Sequence, residues 1–325
     1  MTTTVVGAGA GSGARAEAGG LPSDALRGFA WAVLAYFIAV ILWGTIVRAT
    51  GSGAGCGNHW PLCNGTVIQQ SASVQTLIEF GHRITSGLSL VLVLVLAGWT
   101  WRATGRGHLA RAAALTAVGF TLLEALLGAL LVVFGYTAES TAPGRPAFLA
   151  LHLANTLLML AALTLTAHLL GRRQGYTAKT VRFKAPFGAV VSVVVFMTVG
   201  VTGSLAALGD TLFPASSLAG ALSSDFSSAS NWLVRWRWTH PTVAFVASIF
   251  LIWILVRAAQ RSLYGDNRAL SAVILMLLAL QYALGVMDVA LLAPTWLQVV
   301  HLLGADILWA CLVVLTARVT LLPAE

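Results

Sequence analysis

Beyond residue 27 the chain alternates between long apolar runs and short polar or basic stretches. The runs fall at about 28–47, 76–101, 112–136, 147–170, 186–208, 232–256, 270–293 and 295–317, each near or above the roughly 20 residues that an α-helix needs to cross a bilayer. Inside hydrocarbon no water satisfies the backbone, so such runs persist only as helices. The pattern predicts an all-α integral membrane protein of eight transmembrane helices. Residues 1–27 are rich in Gly, Ala, Thr and Ser without apolar periodicity, and read as a disordered cytoplasmic tail. Residues 28–170 then form an N-terminal four-helix bundle, 171–185 a basic cytoplasmic linker, and 186–320 a C-terminal four-helix bundle.

Composition excludes a water-soluble domain, with 58% hydrophobic and 9% charged residues and a mean hydropathy of +0.85, against roughly 25% charged residues in soluble proteins. The net charge of +8 does not point to nucleic acid, because the basic residues sit in short groups between the runs. Of the 19 Lys and Arg residues, 14 fall on the side of the tail and linker. Only Arg48, Arg83, Arg145, Arg235 and Arg237 fall on the other. Positive charge is retained in the cytoplasm, so both ends of the given chain are expected inside a cell membrane. The first run, followed by Gly53-Ala54-Gly55-Cys56, imitates a lipoprotein signal. It is too long, and it ends too far before Cys56, to be cleaved there.

The sequence also repeats itself. Thr50-Gly51-Ser52 returns as Thr202-Gly203-Ser204, Leu127-Gly128 as Leu284-Gly285, and His152-Leu153 as His301-Leu302. A tandem repeat of two four-helix units, parallel because each contains an even number of crossings, is the expectation. In this alignment Leu208 occupies the position of Cys56.

Ionisable groups within lipid are costly and usually functional. Those within the runs are Glu79, His82, Arg83, Glu124, His152, His168, His240, Asp288, His301 and Asp306. His82, His152, His240 and His301 lie at similar depth near the outer ends of even-numbered runs, one pair in each half. Opposed neutral imidazoles across a bundle suit a heme iron, and two pairs imply two hemes. Polar packing between helices is the plainer alternative. A zinc site lacks a third ligand at familiar spacing. His59, His108 and His168 have no counterparts in the other half and read as structural. Glu79 shares a helix face with His82, as acid, base or water anchor at a heme edge or as a partner for Arg83; the corresponding second-half residue is Arg237. Cys56 and Cys63 lie together in a polar loop, whereas Cys311 is in an apolar run.

These residues resemble the heme A synthase family. The likeness is carried by Thr50-Gly51-Ser52-Gly53, Cys56-Gly57, Trp60-Pro61-Leu62-Cys63, Ile78-Glu79-Phe80-Gly81-His82-Arg83, His152-Leu153-Ala154-Asn155, Thr239-His240-Pro241 and His301-Leu302-Leu303-Gly304-Ala305. It covers the chain after the tail, and departs from the family at Glu124, where Gln would match Gln281 of the second half. The resemblance implies that His240 and His301 hold a heme b cofactor. It implies that His82 and His152 receive heme O, whose C8 methyl is oxidised in two steps to the formyl of heme A, with Glu79 as the catalytic residue. It further implies a Cys56–Cys63 disulfide in the outer loop. Implied partners are heme O, a heme O synthase, terminal oxidase assembly factors, an electron acceptor or donor, the lipid bilayer and a second copy of the chain, with no nucleic acid. A di-heme cytochrome b working with quinone, or a heme transport or assembly factor, uses the same histidine pattern. Hemes at one depth near the outer face fit transmembrane electron transfer less well.

Overall fold

The computed structural model describes residues 23–66, 72–171, 177, 181–183, 187–261 and 265–323. Among them, eight helical spans are long and apolar enough to cross a membrane. The first four are α1 (Asp24–Ala49), α2 (Val74–Ala103), α3 (Leu109–Val133) and α4 (Gly144–Leu170). After them come α5 (Phe187–Leu212), two short helices α6 (Leu218–Asp225) and α7 (Trp232–Trp236), and then α8 (Thr239–Arg261), α9 (Gly265–Ala290) and α10 (Thr295–Thr320). The sixth span is α7 and α8 together.

Local chemistry sets the ends of these helices. The Leu26 amide donates to the Ser23 hydroxyl at 3.3 Å, Asp24 stands in the first turn, and Leu26 is fully buried. Helix α1 therefore begins inside the segment expected to be a disordered tail, and residues 24–27 belong to the bundle. The rest of that tail, 1–22, lies outside the described residues. Ser73 caps α2 through the Thr76 amide at 3.1 Å. The sixth apolar run is not one helix: α7 ends at Trp236 and α8 starts at Thr239, with Pro241 in the first turn, where its missing N–H leaves no bond unmade. The stretch before it contains α6, which the apolar pattern did not announce. Between α9 and α10, Leu292 and Ala293 adopt positive φ (61° and 54°), which turns the chain within three residues into Pro294 ahead of α10.

The helices pack as two rings. In the first, α1 meets α2, α2 meets α3, α3 meets α4, and α4 returns to α1; in the second, α5, α8, α9 and α10 close in the same order. The rings join where α4 packs on α5 and α10, and where α1 packs on α10. Leu157, Leu160, Leu163, Leu312 and Trp309 are buried at this junction. Trp309 Nε1 donates to the Leu157 carbonyl at 2.7 Å, and Phe196 stacks on its indole at 4.9 Å. The outward faces are apolar as well: Val91, Leu94, Leu122, Val194, Phe245, Ile249 and Val286 are all exposed. That is the surface a lipid environment requires. Of the linker, Val181–Phe183 pairs antiparallel with Leu321–Pro323, while most of 171–185 lies outside the described residues.

Candidate functional site

His82 and His152 each follow the start of their helix by eight residues (82 − 74 and 152 − 144), and His301 follows the start of α10 by six (301 − 295). His240 is only the second residue of α8, yet it lies eight residues beyond Trp232 (240 − 232), where the sixth span begins. At about 1.5 Å per residue, the three that lie within unbroken helices stand about 9–12 Å from one end of the bundle. The pairing follows the rings. His82 on α2 and His152 on α4 lie on opposite helices of the first ring, as do His240 on α8 and His301 on α10 in the second.

Each imidazole lies against a glycine of a neighbouring helix. A Cβ built at Gly44 on α1 would stand 3.1 Å from His82 Cε1, and one at Gly203 on α5 2.9 Å from His240 Cε1. The equivalent distances are 3.9 Å from Gly128 on α3 to His152 and 3.5 Å from Gly285 on α9 to His301. The missing side chains of these glycines leave room for the imidazoles. Among the described residues no three His, Cys, Asp or Glu side chains gather as a chelate, so paired ligands to a heme fit this donor set better than a polydentate ion site. The same glycines change the alignment of the halves. Gly44 answers to Gly203, an offset of 203 − 44 = 159, and His82 to His240, an offset of 240 − 82 = 158. The Thr-Gly-Ser echo at 152 is a misalignment: Gly51 lies beyond the end of α1, whereas Gly203 is inside α5. The equation of Leu208 with Cys56 lapses with it.

The second ring nitrogens have different neighbours. His82 Nδ1 is buried without a hydrogen-bond partner. His240 Nδ1 is 3.3 Å from the Thr202 hydroxyl. His152 Nδ1 is likewise buried without a hydrogen-bond partner, with Glu124 Oε1 3.4 Å away. Two α4 side chains hold that carboxylate: the Asn155 amide donates to Oε2 at 2.5 Å, and the Thr156 hydroxyl bonds Oε1. At the corresponding place in the other ring stands Gln281. In the amide orientation that satisfies both its ends, its nitrogen donates to His301 Nδ1 at 3.2 Å and to the His301 carbonyl at 3.0 Å, while its oxygen accepts from Ala305 N at 3.2 Å.

Glu79 is buried and fully engaged. Arg83 donates to Oε1 at 2.5 Å, and Oε2 accepts the Cys56 amide at 2.7 Å. Arg83 continues to the carbonyls of His59 (2.6 Å) and Leu62 (2.9 Å). The Thr76 hydroxyl holds the Gly55 carbonyl at 2.8 Å, where a Cβ at Gly55 would strike Gln75 at 2.5 Å. The loop so held contains the Cys56–Cys63 disulfide, with a Cα separation of 4.4 Å; Cys311 is free. In the second ring the corresponding position is basic. Arg237 donates to Asp210 (2.8 Å) and Asp225 (2.9 Å) and reaches the Ser224 hydroxyl at 3.1 Å, clasping α5 to α6.

Of the remaining candidates, Asp288 and Asp306 each keep one buried carboxylate oxygen unpartnered. His59 contributes its carbonyl to Arg83. The His108 Nδ1 caps α3 by accepting the Ala110 amide at 3.2 Å, and burial, followed by Arg111, pulls its imidazole below the usual histidine range. Sequence reasoning missed Gly44, Gly203 and Arg48. Arg48 crosses between rings to the Ala207 carbonyl (2.8 Å), the Thr211 hydroxyl (2.7 Å) and Gln298 (2.6 Å). Glycine in the interior of an apolar helix was the available signal for the first two, since it weakens a helix unless something must approach closely.

Comparison with known proteins bears on what this arrangement does. Residues 27–313 match the COX15-CtaA model, described as cytochrome oxidase assembly protein. A protoheme IX farnesyltransferase of Thermus thermophilus is 40% identical over 292 residues, 89% of this chain and 48% of the relative. The chain thus spans about half the length of that protein. A heme A synthase of Staphylococcus epidermidis is 30% identical over 239 residues, covering 70% of this chain and 73% of the relative. One from Staphylococcus saprophyticus is 29% identical over 286 residues, covering 83% and 87%.

Proposed function

The chain belongs to the COX15-CtaA family of cytochrome oxidase assembly proteins, and from that premise we propose that it is a heme A synthase, a membrane oxidoreductase that oxidises the C8 methyl of heme O to a formyl group. The observation that carries the proposal is the placement of two histidines on opposite helices of each ring, each against a glycine. In this reading His82 and His152 hold heme O in 28–170, and His240 and His301 hold heme b in 186–320. Heme b, when bound, supplies one-electron redox chemistry. The bundle end that carries the disulfide loop faces outward, and both ends of the given chain face the cytoplasm, following the 14-to-5 division of basic residues. The relatives' names make a heme O synthase and oxidase assembly factors the natural partners.

Glu79 stands three residues from His82, and is proposed to act at the reacting heme. Its oxygens already bind Arg83 and the Cys56 amide, so its contribution passes first through the loop it holds, which it would fix at the end of the helix that carries His82. The division of labour is supported by the asymmetry of the rings, since only the first has this acid and the disulfide. The test is mass spectrometry of hemes extracted from cells that express the full chain with a heme O synthase. Heme A is expected. Heme O carried through unchanged, with the protein present and heme-loaded, overturns the assignment.

A further inference from the structure

We infer that Arg48 is a positioning residue through which the first ring sets the spacing of the second ring's histidine pair. The inference rests on the reading of His240 and His301 as heme ligands. Arg48 stands in the last turn of α1, and its guanidinium bonds across the junction. Nη1 donates to the Ala207 carbonyl at 2.8 Å and the Thr211 hydroxyl at 2.7 Å, both on α5, while Nη2 donates to Gln298 Oε1 on α10 at 2.6 Å. These are helices on which the second-ring pair depends. Ala207 and Thr211 lie about one and two turns beyond Gly203, against which the His240 ring packs, and Gln298 lies three residues before His301 on the same helix. Gln298 is fixed in turn, because its Nε2 donates to the Ala293 carbonyl, in the bend between α9 and α10, at 2.6 Å. A guanidinium is a rigid planar fork, so two helices bound to its two ends are held at one separation and one angle. All three acceptors are neutral, and what Arg48 gives them is direction.

The tie runs one way. With Gly44 matched to Gly203, Arg48 corresponds to Ala207 (48 + 159 = 207), the residue whose carbonyl it binds. With His152 matched to His301, an offset of 149, Gln298 corresponds to Leu149 (298 − 149 = 149). At these positions the second ring has no donor, and the first no acceptor, with which to return the contact. A bond inherited from the repeat would recur in both halves, whereas this one belongs to the junction alone. Trp309 also bonds across the junction, to the Leu157 carbonyl. It does so from eight residues beyond His301 (309 − 301), on the side away from Gln298.

The test loads full-length protein with iron protoporphyrin IX in both rings and records the EPR spectrum of the ferric form. In a low-spin heme with two imidazole ligands, the angle between the imidazole planes sets the largest g value. The second-ring signal is the one lost in His301→Ala. Arg48→Leu removes all three bonds, and is expected to shift that signal and to lower second-ring affinity by about tenfold, the lower end of the usual cost of disturbing what stands behind a metal ligand. The first-ring signal stays where it was. Arg48→Lys keeps the charge without the fork and gives a comparable shift, and Gln298→Leu, which removes only the α10 arm, gives a smaller one. Trp309→Phe loosens the junction elsewhere and leaves the second-ring signal in place. An unmoved second-ring signal in Arg48→Lys and Gln298→Leu, or an equal shift in Trp309→Phe, overturns the role of Arg48 and leaves the heme reading standing. Failure of the wild-type second ring to bind the porphyrin overturns both.

Discussion

The two rings seat their histidines alike but secure the ends around them with opposite charges. Near His82 the securing residue is an acid: Glu79 takes one hydrogen bond from a loop amide and one ion pair from Arg83. Near His240 it is a base, Arg237, held between Asp210 and Asp225. The first arrangement holds a loop closed by a disulfide; the second clasps one helix to another. What is common to both rings is therefore the histidine and its glycine, and what differs is what secures the helix end beside it. A shared scaffold with unlike borders is what separate substrate and cofactor sites would need.

The sharpest way to break the likeness is through the glycines. Alanine at Gly203 places a methyl 2.9 Å from the His240 ring, closer than packed atoms tolerate, and alanine at Gly44 one 3.1 Å from the His82 ring, so the first imidazole must move and the second must give by a few tenths of an ångström. Gly203→Ala is expected to lower second-ring heme affinity by at least tenfold, or about 1.4 kcal/mol, and Gly44→Ala to do the same in the first ring. Gly285→Ala, at 3.5 Å, should do less, and Gly128→Ala, at 3.9 Å, almost nothing. Heme content per folded molecule, from pyridine hemochrome spectra, checks the order. Equal losses at all four positions mean the glycines serve helix packing alone.

The unlike borders are tested by removing each anchor. Arg237→Gln leaves Asp210 and Asp225 facing each other without a cation. Loss of one member of a buried ionic group costs about 3–5 kcal/mol, and the partial exposure of Asp210 places this one near about 3 kcal/mol. Glu79→Gln keeps a hydrogen-bonding side chain beside the Cys56 amide, and Arg83 keeps its loop carbonyls, so about 1–2 kcal/mol is expected. Thermal unfolding in detergent should rank the variants in that order. For Glu79→Gln, heme A formed per heme-loaded molecule should also fall; an unchanged yield removes Glu79 from the reaction.

The sequence made the spans legible because hydrocarbon leaves the backbone no alternative to helix, and the four histidines stood out because each is costly in lipid. It could not show which ends were stitched together. Glu79 was visible as an acid one turn from His82, but its engagement with the Cys56 amide depends on a loop 23 residues away in the chain. The break between α7 and α8 was hidden because 232–256 reads as one apolar run in spite of Arg235 and Arg237, and only Pro241 hinted at a new start. The repeat was read one to two helical turns out of register because Thr-Gly-Ser is a short motif, whereas the structural equivalence lies in Gly44 and Gly203, single residues whose meaning appears only beside their histidines.

The smallest expected effect concerns the disulfide, which the second ring lacks. Loop closure over the seven-residue separation of Cys56 and Cys63 limits its contribution to about 2.5 kcal/mol. The true figure is lower because the same loop is held independently by Glu79, Thr76 and Arg83, and because helices on both sides already confine its ends. Cys56→Ser with Cys63→Ser should therefore shift the unfolding midpoint by only a few degrees and leave heme content in both rings as it was. Heme A yield then decides what the bond is for. Yield in proportion to folded protein makes the bond one more strut in the wall beside His82. Yield lost while heme content and folding persist shows that the sulfurs take part in turnover, and makes the first ring's border a redox element with no equivalent in the second.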